Sequence, residues 1–107
     1  MKVDFEQQEF RHPVLRELLK WLEDETGFEF TETSSRRLND DGVHGTDPTR
    51  GEDLRCRNYM LGKCVEKLIN AHWTYDKKRP KLKCCMLHGT GSNMHLHIQV
   101  HPNTVKA

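Results

Sequence analysis

Apolar positions at helical spacing are clearest at Val14, Leu15, Leu18, Leu19 and Leu22, with Lys20, Glu23 and Asp24 filling the other side. They predict an amphipathic helix over Pro13 to Thr26, with Pro13 suited to its first position and Gly27 to its stop. From Phe28 to Thr33 the period changes to two, Phe28 and Phe30 on one parity and Glu29 and Thr31 on the other, which predicts a short strand. Residues Ser34 to Arg50 are polar and rich in Gly, Asp, Thr and Pro, a long loop of the kind that is functional or disordered in a small domain. A short strand is expected over Gly51 to Arg55. A second helix follows over Asn58 to Trp73, with Asn58 as N-cap and a stripe of Leu61, Cys64, Val65, Leu68, Ile69 and His72.

Tyr75 to Pro80 reads as a charged turn. Leu82 to Leu87 reads as a strand, broken by Gly89, Thr90 and Gly91. Met94 to Val100 is the sharpest strand: Met94, Leu96, Ile98 and Val100 share one parity, and His95, His97, Gln99 and His101 share the other. Pro102 ends it. Two helices among short strands predict an α+β domain, a small mainly antiparallel sheet with both helices packed on one face.

At 107 residues the chain makes one domain, 1–107, with a modest core. A formal net charge of +1 points to neither nucleic acid nor a membrane surface. The opening MKVDFEQQEF has no apolar run, so the expectation is a chain made in the cytoplasm without a secretory signal. On that reading Cys56, Cys64, Cys84 and Cys85 are free thiols, small partly buried side chains rather than disulfides or zinc ligands, and no CxxC pair is present.

Chemistry enters with the histidines. Next-but-one residues on one strand face stand about 6.5–7 Å apart, so neighbouring imidazoles in the row His95, His97 and His101 can meet one small target such as a metal ion, or the row forms a solvated His-rich face. The loop stretch Val43-His44-Gly45-Thr46-Asp47-Pro48-Thr49-Arg50-Gly51-Glu52-Asp53-Leu54-Arg55 offers one histidine and three carboxylates. Either it is an acidic surface loop, or it supplies His and carboxylate to a three-ligand zinc site completed by a histidine from the distant strand, the fourth position left to water.

Together these segments resemble the zinc D-alanyl-D-alanine carboxypeptidase-like peptidases, which share a fold with lysostaphin-type enzymes and the hedgehog signalling domain. In that group one motif supplies a His and then an Asp, and a second, near the C-terminus, supplies a His, often as HxH. Here the first is similar to His44 through Arg50-Gly51-Glu52-Asp53-Leu54, and the second to His95-Leu96-His97. Thr33-Ser34-Ser35-Arg36-Arg37 is similar to the Thr-Ser-x-x-Arg ahead of the first motif. Small phage and prophage proteins of this kind share the leading helix, the VHGT…RGxDLR segment and the closing HLHIQVHPNT, so the resemblance runs from Pro13 to Thr104.

The resemblance implies a zinc site on the sheet, with His44, Asp53 and His97 as ligands and Zn2+ as cofactor. It implies His95 as the histidine that touches the reacting group and Arg37 as the substrate-carboxylate partner. The implied activity is that of a zinc peptidase or amidohydrolase on peptidoglycan stem peptides, phage-encoded and endolysin-like. The alternative is a non-catalytic relative, stapled by zinc and working with phage virion or assembly proteins. Two departures count. Two extra residues separate His44 from Asp53, which makes Asp47 a competing ligand. Many members carry a general-base Glu where Met94 stands. Asp40, Asp41 and Asp47 are either partners that orient the ligands or solvated loop charges, and His88 either borders the site or sits idle in a turn.

Overall fold

The computed structural model describes residues 11–34 and 49–107, with residues 32–34 described as backbone only. Helix α1 spans Pro13–Thr26. His12 caps it, its Nδ1 accepting from the Val14 N–H at 3.2 Å, and Gly27 closes it in the left-handed conformation (φ 69°) with its N–H on the Glu23 carbonyl. Leu15, Leu18, Leu19 and Leu22 are all buried, as the stripe predicts. Each contributes about 1.5–3 kcal/mol relative to exposure.

Strands β1 (Glu32–Ser34), β2 (Gly51–Arg55), β4 (Cys85–His88) and β5 (His95–Gln99) form an antiparallel sheet in the order β1-β2-β5-β4. Its body is the three strands β2, β5 and β4, and β1 is a short edge. Between α2 (Tyr59–His72) and β4 lies β3 (Trp73–Thr74), which pairs with β6 (Val105–Lys106) as a separate two-stranded ribbon. A single 3-10 turn, Gly91–Asn93, links β4 to β5. The α+β class expected from the pattern is observed. No helix among the described residues is long and apolar enough to cross a membrane.

The first strand begins later than the Phe28–Thr33 alternation predicts. Phe28 to Phe30 run without ladder bonds, Phe28 stays exposed, and pairing starts at Thr31, whose carbonyl accepts from the Arg55 N–H. In α2 the buried residues are Gly62, Val65 and Ile69, whereas Leu61, Cys64 and His72 are exposed and Leu68 is half-buried. The stripe is rotated because the helix approaches the sheet through Gly62. A Cβ there would lie 2.9–3.0 Å from side-chain atoms of Leu87 and Cys56, so any larger residue would make those side chains give way.

Edge strand β4 is sealed by α2 side chains. Asn70 accepts from the Cys85 N–H at 3.0 Å and donates to the Cys85 carbonyl at 2.9 Å, replacing one rung of a missing neighbour. Glu66 accepts from the Leu87 N–H at 2.7 Å. The core cluster joins the α1 leucines and Val65 and Ile69 of α2 to Leu54, Leu96 and Ile98, which come from one face of the sheet.

Candidate functional site

The opposite face carries the polar chemistry. Register pairs Asp53 with His97 across β2 and β5, His97 with Met86 across β5 and β4, and His95 with both Arg55 and His88. Alternation therefore puts Asp53, Arg55, Met86, His88, His95, His97 and Gln99 on one surface. In β5 the histidines are half-buried while Leu96 and Ile98 are fully buried.

Asp53 and His97, distant in sequence, meet there with Nδ1 of His97 3.0 Å from a carboxylate oxygen of Asp53. The other ring nitrogen, Nε2, lies 3.2 Å from Oε1 of Gln99. Gln99 in turn donates its side-chain N–H to the Lys83 carbonyl at 2.9 Å, which directs its oxygen to the imidazole. His95 turns its Nδ1 to the Asn93 carbonyl at 2.9 Å. His88 completes the row, its ring centroid 5.7 Å from that of His95 and 5.8 Å from that of His97. Behind His88, burial acts to raise the Glu66 carboxyl, but the Leu87 N–H and the Lys63 ammonium outweigh it and hold it below its usual value, with His88 adding to the lowering.

Of the residues expected to hold zinc, Asp53 and His97 are brought together, and His44 lies outside the described residues, as do Arg36, Arg37, Asp40, Asp41 and Asp47. Among the described residues alone no three His, Cys, Asp or Glu side chains form a metal-binding group. The pair itself suits a cation. With Gln99 accepting from Nε2–H, Nδ1 carries the lone pair and faces a carboxylate oxygen, and two electron-rich atoms at that distance need a proton or a cation between them. Ligand atoms on a tetrahedral zinc stand about 3.3 Å apart for bonds of about 2.0–2.1 Å, close to the separation here.

His101 departs from the expected row of three. The strand ends at Gln99, and His101 packs instead against Tyr75 at 5.8 Å, its Nδ1 accepting from the Asn103 N–H. The third imidazole of the row is His88, from the neighbouring strand. Its place follows from hairpin register, which the one-dimensional pattern does not hold. Glu52, one of the three carboxylates of the loop motif, is fully buried and paired with Arg11 at 3.0 Å. His72 rests on Trp21 with centroids 5.4 Å apart. The four cysteines are free. Cys56, Cys84 and Cys85 are buried, Cys64 is exposed, and burial pushes the Cys84 thiol up to about 12 and raises Cys85 as well. Cys84 precedes β4 and Cys85 opens it, and both are buried.

Comparison with known proteins finds no matching family model, no matching curated protein and no matching solved structure. The peptidase resemblance thus rests on the sequence motifs.

Proposed function

We propose that this chain is a zinc-dependent peptidase or amidohydrolase acting on peptidoglycan stem peptides, in the manner of the carboxypeptidase-like group and its hedgehog-type fold. The observation that carries the reading is the meeting of Asp53 and His97 at 3.0 Å on a sheet face that also bears His95 and His88. His97 and Asp53 would hold the metal, with His44 from the loop as third ligand. Bound there, zinc would polarise a substrate carbonyl and acidify a water. The rest is the work of the chain's own groups. His95 lies next-but-one to His97 on the same face, about 6.5–7 Å along the strand, where it can hold a proton or hydrogen-bond the oxygen of the reacting carbonyl. His88, in ring contact with both, can exchange that proton with solvent. Arg37 would pair with a substrate carboxylate through its planar fork.

A second reading, a zinc-stapled virion or assembly protein without turnover, draws on Met94. Where many members carry a general-base Glu, this chain has a buried thioether that cannot take a proton.

One experiment separates the two. The purified protein binds about one zinc per chain, and His95→Ala leaves zinc content and Tm nearly unchanged while cutting hydrolysis of short stem peptides ending in D-alanine by about 10²–10⁴-fold. Zinc binding without product from peptidoglycan or any stem peptide would establish the scaffold reading. Wild-type protein that takes up no zinc would remove both.

A further inference from the structure

We infer that Gln99 is a positioning residue for His97, fixing the imidazole with Nε2–H bound to the glutamine and Nδ1 aimed at Asp53. The inference rests on the zinc reading only for its consequence, since the ring orientation is read from the chain's own hydrogen bonds.

Gln99 is the last residue of β5 and is tied to the stretch before β4 twice. Its backbone N–H donates to the Cys84 carbonyl at 2.8 Å, and its side-chain N–H donates to the Lys83 carbonyl at 2.9 Å. A carboxamide has one donor end and one acceptor end. Once Lys83 takes the donor, only Oε1 is left to face His97, where it stands 3.2 Å from Nε2. An acceptor at that place requires a hydrogen on Nε2. The nitrogen left for a metal is then Nδ1, and it faces Asp53. Without this brace a half-turn of the ring about its bond to Cβ would move both nitrogens, and the Nδ1–H tautomer would be favoured by the carboxylate alone.

A metal-binding imidazole whose other N–H is held by an acceptor is oriented and more basic, and loss of such an acceptor typically weakens metal binding 10–100-fold. The glutamine belongs to the same alternating row as His95 and His97, so one strand supplies both the imidazole and the group that sets its tautomer.

Two variants distinguish this role from a merely structural tie. Gln99→Leu removes both side-chain bonds. Gln99→Glu keeps an acceptor for Nε2–H but has no donor for the Lys83 carbonyl. Long-range ¹H–¹⁵N correlation spectra of the metal-free protein read the ring directly, and zinc titration against a competing chelator reads the consequence. The expected result is a protonated Nε2 at His97 in wild type and in Gln99→Glu. Gln99→Leu is expected to shift toward the Nδ1–H form and to bind zinc about 10–100-fold more weakly, with Gln99→Glu restoring most of the affinity. An Nε2 without a proton in the wild-type protein overturns the inference. So does a Gln99→Glu variant as impaired as Gln99→Leu, which would assign the residue to the Lys83 tie. If Nε2 is protonated in the expected pattern and no variant, wild type included, takes up zinc, the ring-positioning role stands and the zinc reading falls.

Discussion

The two faces of the central sheet are built from the same strands and often from adjacent residues, yet they do opposite work. Leu54, Leu96 and Ile98 face the helices and are fully buried. Asp53, His95 and His97 lie one residue away, on the face where the polar groups gather. The difference teaches that stability and chemistry are carried by separate parities of one strand, so a substitution moved by a single position should change which property suffers.

The largest expected effect tests that separation. Leu96→Ala opens a cavity in the core and should cost about 2–5 kcal/mol of stability. His95→Ala, its neighbour, should cost about 1 kcal/mol or less in the metal-free protein, since it loses one hydrogen bond on a partly exposed face. Urea denaturation of both variants measures the contrast, and equal losses would break it. A second test concerns the edge. Asn70→Ala leaves the N–H and the carbonyl of Cys85 without their side-chain partner and should cost about 2–4 kcal/mol. A loss under about 0.5 kcal/mol would mean that water replaces the asparagine and that the edge is open.

The smallest effect separates the histidines that alternation places from the one that begins a helix. Burial is the main cause that lowers the His12 imidazole from its ordinary value of 6.5, with Arg50 and His101 adding to it. The folded state therefore binds this proton less readily than the unfolded chain. The stability it contributes is present above about pH 6.5 and is lost as pH falls through that value toward the lower folded one. Protonation also removes the lone pair that accepts from Val14. His12→Asn retains a cap acceptor without titrating, so its denaturation midpoint should fall less than that of wild type between pH 7.5 and 5.5. Parallel falls in both proteins would place the acid sensitivity elsewhere.

Much of this was legible one dimension at a time. The α1 stripe, its Pro13 and Gly27 ends, the Asn58 cap and the alternation of β5 are local, depending on spacing within a few residues. The α2 stripe differs from the expected one because its buried side is centred on Gly62, which carries no hydrophobic signal but packs against Leu87 and Cys56. His101 was assigned to the wrong row because alternation alone does not mark where a strand ends. Gln99 stood in the right row without a role, since its function depends on a carbonyl sixteen residues earlier in the chain.

The sequence by itself determined the α+β class and the parity that separates Leu96 from His97. These follow from periodicity and residue chemistry, which the chain carries wherever it folds. Only the tertiary structure decided that His88 rather than His101 joins the row, that Glu52 is consumed by Arg11 in the interior, and that Gln99 braces His97. Each depends on strand register or on helix approach. A shift of one residue in register would turn every side chain of a strand to the other face, and packing across the whole domain, rather than any local pattern, selects the register that is observed.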